Sequence, residues 1–123
     1  MVAAPVLFDT CILIDYLRAR PEALAELERP ASRAISIITW MEVMAGATAA
    51  DELQMREFLL QFALLPLTAG VAEQTVEVRR KFRVKLPDAI ILATAELAGR
   101  TLVTRNTRDF PEGTHGVRIP YSL

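Results

Sequence analysis

Residues 5–17, Pro5-Val6-Leu7-Phe8-Asp9-Thr10-Cys11-Ile12-Leu13-Ile14-Asp15-Tyr16-Leu17, change periodicity at a single acid. Val6, Leu7 and Phe8 form a short apolar run, the pattern of a strand buried on both faces. From Thr10 onward Ile12, Leu13, Tyr16 and Leu17 fall at the spacing of one helix face. A buried strand that passes through Asp9 into a helix is the opening unit of an α/β sheet.

The same grammar continues to the C-terminus. Pro21 suits the first turn of a short helix reaching about Leu27. Ala34-Ile35-Ser36-Ile37-Ile38 reads as a second strand, and Thr39 as the opening of a helix that ends near Gly46. A longer helix is expected from Ala50 to Ala63, then a short strand at Leu64-Leu65-Pro66-Leu67. Thr68 is placed to cap the next helix, with Val71, Thr75, Val78 and Phe82 inward and Glu77 paired with Lys81 outside. Pro87 opens a further helix from Asp88 to Ala98, stopped by Gly99. Thr101-Leu102-Val103-Thr104 and Val117-Arg118-Ile119-Pro120 supply the last strands. Strands alternating with helices define an α/β fold, a parallel central sheet of about four to five strands flanked by helices. One domain is expected to occupy residues 1–123.

Composition narrows the function classes. The chain is 52% apolar, yet no apolar run approaches the roughly 18 residues of a membrane helix. The N-terminus has no basic segment and meets Asp9 early, so no signal peptide is expected and the cytoplasm is the simplest location. The single cysteine, Cys11, excludes an internal disulfide and a Cys-based metal site. A net charge of −1 gives no global field for nucleic acid, so any polyanion must be recruited locally.

The acids carry the chemistry. Asp9 ends the first strand, Glu42 lies early in the helix after the second, and Asp109, with Asn106, follows the Thr101 strand. Ligands of open parallel sheets bind at the carboxyl ends of the strands. Asp88, in the first turn of its helix, joins them if topology brings that helix end to the same edge. Singly, each has an ordinary role: Asp9 as an N-cap, Glu42 in a Thr39–Glu42 capping box, Asp88 as a first-turn acid, Asp109 as a turn residue. Together they would repel one another, and such a cluster is held at neutral pH by a cation. An all-oxygen ligand set favours Mg²⁺ or Mn²⁺, which can promote phosphodiester hydrolysis without a histidine base.

Four ordered blocks then resemble the PIN-domain ribonucleases, in particular the VapC toxins of toxin–antitoxin modules. They are Asp9-Thr10-Cys11-Ile12-Leu13-Ile14-Asp15, Thr39-Trp40-Met41-Glu42-Val43-Met44-Ala45-Gly46, Pro87-Asp88-Ala89-Ile90-Ile91-Leu92-Ala93-Thr94-Ala95 and Leu102-Val103-Thr104-Arg105-Asn106-Thr107-Arg108-Asp109-Phe110. The resemblance spans nearly the whole chain. It implies a metal-dependent endoribonuclease with Asp9, Glu42 and Asp88 on the metal, and Thr10 and Thr104 supporting the pocket. It also implies a homodimer and a cognate antitoxin that blocks the site. Two departures stand out. Cys11 replaces a Ser or Asn of many relatives, which puts one polar contact in question. Asn106 stands where many members carry Asp, so the fourth metal position falls to Asp109 or to the neutral oxygen of Asn106, with Asp109 preferred.

Arg105 and Arg108 flank that last acid and are candidates for the RNA backbone. Arg79, Arg80, Lys81, Arg83 and Lys85 form a second basic stretch, which a solvated helix face also explains. Leu53, Met55, Phe58, Leu59 and Phe62 fit either a buried interface or an ordinary core. Alanine at Asp9 or Asp88 is expected to stop cleavage and leave the fold intact or more stable. Three other readings compete. A phospho-receiver domain needs paired acids after the first strand and a late lysine, whereas Asp9 stands alone and no lysine follows Lys85. A haloacid-dehalogenase-type phosphatase needs an Asp where Cys11 stands. A PIN fold kept as a binding module with weak or no turnover draws on Asn106.

Overall fold

The computed structural model describes residues 4–29 and 32–123. The absence of a basic segment at the extreme N-terminus concerns residues 1–3, which lie outside those described. The chain runs β1 (Val6–Phe8), α1 (Thr10–Leu17), α2 (Pro21–Glu28), β2 (Arg33–Ser36), α3 (Ile37–Ala45), α4 (Glu52–Leu59) and β3 (Ala63–Leu65). It continues as α5 (Ala69–Lys81), α6 (Leu86–Leu97), β4 (Thr101–Val103) and β5 (Val117–Arg118). Five parallel strands lie in the order β3-β2-β1-β4-β5.

Alternation along the strands feeds two cores. Leu7 and Leu102 face one side, against Val71 and Val78 of α5 and Ile91 and Leu92 of α6. Val6, Phe8 and Val103 face the other, with Ile12, Leu13, Leu27, Val43 and Phe58. Leu7 sits opposite both Ala34 and Leu102, so β1 is buried on both faces and paired on both edges. The chain builds outward from β1 through β2 to β3, then returns across it to β4 and β5. That reversal opens a crevice beyond the carboxyl ends of β1 and β4. Asp9 and Thr104 stand there, and the Asp9 amide donates to the Val103 carbonyl at 2.9 Å.

Several boundaries differ from the expectation, each for a local reason. The second strand stops at Ser36, because its hydroxyl accepts the Ile38 amide at 3.0 Å and caps α3. Ile37 and Ile38, β-branched and read as strand, are therefore the first helical residues. Thr39 is not a cap but a buried side chain, and the Thr39–Glu42 capping box does not form. Replacing Ser36 by Ala should lower stability by about 1 kcal/mol in urea unfolding, whereas an unchanged midpoint would return the cap to Thr39.

The helix expected over 50–63 is the shorter α4. Phe62 turns into the core beyond it, and Ala63 already belongs to β3. That strand ends before Pro66, which has no amide to offer a ladder. In α5, Thr68 caps as expected, its hydroxyl accepting the Val71 amide at 3.1 Å, and Val71, Thr75 and Val78 are buried. Glu77 pairs with Arg80 at 2.6 Å rather than with Lys81. Helix α6 opens one residue before Pro87 and ends at Leu97, where Gly99 takes a φ of 64° that suits glycine. The final strand is only Val117–Arg118. Of the apolar group around α4, Phe58, Leu59 and Phe62 are core, whereas Leu53 is 70% exposed. Among the described residues no helix is long and apolar enough to cross a membrane.

Candidate active site

Asp9 enters the crevice as an N-cap. Its carboxylate accepts the Thr10 amide at 2.7 Å through Oδ1 and the Thr104 hydroxyl at 2.7 Å through Oδ2. Only 5% of the residue is exposed. Burial pushes its carboxyl above the usual range, with Glu42 adding to the push, and the bonds from Thr104, Thr10 and Cys11 pull the other way. The capping role and the site role are thus the same geometry. Alanine at Asp9 would remove a cap and strand the fully buried Thr104 hydroxyl, so the expectation of an intact or more stable fold does not hold for that position.

Glu42 is exposed on α3, and its Oε1 accepts the Thr10 hydroxyl at 2.7 Å. Thr10 spends its only hydroxyl proton there, so the Thr39 hydroxyl, 2.9 Å away, donates to Thr10. A relay from Thr39 through Thr10 aims Glu42 at the pocket. Thr39, the residue expected to cap α3, is instead a support that sequence spacing did not identify.

Asp88 is the third residue of α6, and topology does bring that helix end to the same edge. Burial, then the charges of Asp9, Asp109 and Glu42, push its carboxyl up to about 6. Each of the four acids comes from a different segment, and Asp88 feels the other three. Asp109 accepts the Asn106 amide nitrogen at 2.9 Å, and its own backbone amide donates to Asn106 Oδ1 at 3.3 Å. Asn106 in turn donates its backbone amide to Thr104 Oγ1 at 3.1 Å. Two hydrogen bonds therefore lock Asn106 and Asp109 to one another.

The cavity enclosed here has a volume of about 480 Å³. Asp9, Glu42, Asp88 and Asn106 line it with Thr10, Cys11, Arg105, Thr107 and Arg108, and Asp109, bonded to Asn106, is near enough to push the Asp88 carboxyl up. Among the described residues, no three Asp, Glu, His or Cys side chains are arranged to ligate one ion directly. The donor chemistry still suits a hard cation, since oxygen donors surround a carboxyl that the other acids disfavour as an anion.

Cys11 is half-buried, its Sγ 3.6 Å from Asp9 Oδ2 and 3.5 Å from Thr104 Oγ1. Burial and the Asp9 charge push the thiol up to about 11, so it is neutral and donates weakly to Asp9. The polar contact put in question by this cysteine is present in weakened form.

Arg105 lines the pocket, but its guanidinium is spoken for. Nε and Nη2 donate to Asp15 at 2.5 and 3.0 Å, and the Tyr121 hydroxyl donates to the same carboxylate at 2.8 Å. Asp15 is 1% exposed. Burial alone would raise its carboxyl, yet the bonds from Arg105 and Tyr121 outweigh it and hold the group below the usual range. Asp15 and Tyr121 had no assigned role from sequence. The available signal was a lone acid inside the apolar pattern of α1. Arg108 is exposed at the rim and has no carboxylate partner among the described residues.

Comparison with known proteins meets this geometry. The sequence model of the PIN domain matches residues 6–113, and the chain belongs to the PIN-domain family. Within that family its similarity is to VapC-type members. Ribonuclease VapC19 of Mycobacterium tuberculosis is 30% identical, over 85% of this chain and 91% of that protein. A toxin–antitoxin complex from Klebsiella pneumoniae contains a chain 48% identical, with a TM-score of 0.90 over 96% of this chain and 99% of that one. DNA-bound VapBC from Salmonella typhimurium is 27% identical, with a TM-score of 0.76 over 95% and 97% of the two chains.

Proposed function

We propose that this protein is a Mg²⁺- or Mn²⁺-dependent endoribonuclease, the toxin of a cytoplasmic toxin–antitoxin pair, working as a homodimer. The observation that carries the reading is the convergence of Asp9, Glu42, Asp88 and Asp109 from four segments on the crevice between β1 and β4. A fold gains nothing from burying Asp88 beside three other acids, which together push its carboxyl up to about 6, and a bound cation offsets that cost. Similarity to a protein named as a ribonuclease and to toxin–antitoxin complexes supports the substrate class and the antitoxin. Exposed Met41, Leu53 and Leu60 supply apolar surface for a second copy or the antitoxin.

Asp9, Glu42 and Asp88 would hold the cation, with Asp109 completing the set through its lock on Asn106. When bound, the ion neutralises phosphoryl charge and acidifies a water. The chain's residues do the rest. Asp9, fixed by Thr10 and Thr104, and Asp88 flank a water aligned in line with the scissile phosphate. One of these carboxylates takes the water's proton as the new P–O bond forms and the bond to the leaving sugar oxygen breaks. Arg108 at the rim holds a neighbouring phosphate. Arg105, committed to Asp15, fixes the backbone between Thr104 and Asn106 and so orients the last acid loop.

Manganese binding followed by electron paramagnetic resonance tests the metal site without any substrate. Asp88→Asn should weaken binding at least tenfold, and Asp109→Asn should weaken it more than Asn106→Ala. Equal affinity in all three variants would remove these acids from the metal. Retained binding with no turnover would favour the binding-module reading. Arg108→Ala should flatten the salt dependence of RNA binding by about 0.7 in log–log slope, the effect of one phosphate contact on a single strand. An unchanged slope would dismiss that contact.

A further inference from the structure

The ribonuclease reading leaves open how an acidic pocket on a chain of net charge −1 captures a polyanion. We propose that Arg79, Arg83 and Lys85, with the Phe82 ring among them, form a track that holds the RNA strand next to the cleavage pocket. The proposal rests on that reading and deepens it by naming where the substrate lies.

Charge distribution comes first. Residues 79–85 hold five of the chain's 14 Lys and Arg and no acid, leaving nine against 15 acids elsewhere. The positive field of the molecule is thus concentrated at the end of α5 and the turn into α6. Arg80 pairs with Glu77, whereas Arg79, Arg83 and Lys85 have no carboxylate partner among the described residues. These three line a cleft of about 440 Å³ together with Phe82 and Val84. Unpaired cations around a cleft suit phosphate better than a solvated helix face requires.

Position comes second. Lys85 is the N-cap of α6, and Asp88 lies one turn further on. Phe82 packs its ring edge-on against Phe110, 6.3 Å between centroids at 71°, and Phe110 directly follows Asp109. The cleft and the acidic pocket therefore lie on either side of the start of α6, Lys85 on the one and Asp88 on the other, and Phe82 ties the cleft to the residue that follows Asp109. A strand with its phosphate among the acids would leave the pocket across this surface. Phe82 is half-buried and keeps part of its ring for a base, while the cations take phosphates on either side. An acidic polypeptide would satisfy the cations but brings no base to stack on the Phe82 ring.

The test uses the full chain carrying Asp88→Asn, so that bound RNA is not cut, and a fluorescein-labelled 12-nucleotide single-stranded RNA followed by anisotropy across salt. Adding Arg79→Ala, Arg83→Ala and Lys85→Ala should weaken binding at least tenfold. The log–log salt slope should become shallower by about 2, three contacts at roughly 0.7 each. Phe82→Ala should weaken binding with no change in slope, because stacking releases no counterion. Arg56→Ala, on α4, is the control and should change neither. Thermal melts confirm that each variant is folded. Unchanged affinity and slope in the folded triple variant would overturn the track while leaving the nuclease reading standing. Loss of binding to poly-L-glutamate with RNA binding intact would overturn it in favour of an acidic protein partner. If the parent binds no RNA at any salt, the track and the ribonuclease reading fall together.

Discussion

Asp88→Asn is expected to abolish RNA cleavage and, in metal-free buffer, to raise the stability of the fold. The first effect follows from removing a carboxylate that flanks the attacking water, a loss of several orders of magnitude in rate. The second follows from the electrostatics of the site. The Asp88 carboxyl stands at about 6 in the folded chain against an ordinary 3.8, so folding disfavours its ionised form. Whatever stability this group contributes is fully present below pH 4 and is lost as pH rises through about 6. At pH 7.5 the wild type bears that penalty and the asparagine variant does not. The gain is on the order of 1–3 kcal/mol, reduced by solvent at a partly exposed side chain. It should shrink to nothing near pH 4, and saturating Mg²⁺ should reverse it by stabilising only the wild type. Urea unfolding at pH 4, 6 and 7.5 measures all three. A variant equally stable at every pH would mean that the acids do not repel one another in the folded chain.

Arg105→Ala carries the largest expected loss of stability, on the order of 3–5 kcal/mol. It leaves the Asp15 carboxylate, 1% exposed, with the Tyr121 hydroxyl as its side-chain donor and the more distant charge of Arg20. For a domain whose total stability is about 5–15 kcal/mol, that is about a fifth at the least and can be all of it. Asp15 behaves oppositely to Asp88 in pH. Its carboxyl is held below the usual range, so its contribution is present above the unfolded value near 4 and fades as pH falls through the folded one. Acid should thus weaken the wild type more than an Asp15→Asn variant. Replacing both partners, as Asp15→Leu with Arg105→Met, should cost clearly less than Arg105→Ala alone, because no charge is left buried without a partner. If single and double variants lose the same, Arg105 acts by packing and not by charge. Tyr121→Phe removes one donor and should lose about 1–3 kcal/mol.

These two carboxylates also mark how far the sequence could be read. The strand-to-helix change at Asp9 shows as a switch from a buried apolar run to helical spacing, because both patterns are set locally by which faces are buried. The sheet order is not local. That β4 returns to pair with β1 depends on long-range packing, so Asp88 could be assigned to the site edge only conditionally. Boundaries shifted where a local device outranked propensity. Ser36 capped α3 and turned two isoleucines from strand to helix. Phe62 ended α4 because its ring fits the core, edge-on to Phe8 at 6.1 Å.

Within the site, Asp9 and Asp88 were legible as acids at the ends of elements, whereas Glu42, expected early in its helix, lies in the middle of α3 because Ser36 starts that helix three residues sooner. Their partners were not legible. Asp15 lies 90 residues from Arg105 and 106 from Tyr121, and Thr39 lies 29 from Thr10. Pairings at that separation leave no periodic trace in a single chain. Arg105 shows the consequence. Read along the sequence it is a free cation beside an acid loop, and in three dimensions it is the partner of a buried carboxylate.

The most direct test of the central claim is cleavage of purified cellular RNA by the purified chain in Mg²⁺, Mn²⁺ or EDTA, with Asp88→Asn alongside. Discrete fragments that require the metal and vanish in the folded variant are the predicted result. Fragments that persist in EDTA, or at wild-type rate in Asp88→Asn, would contradict it by placing the activity outside the acidic crevice.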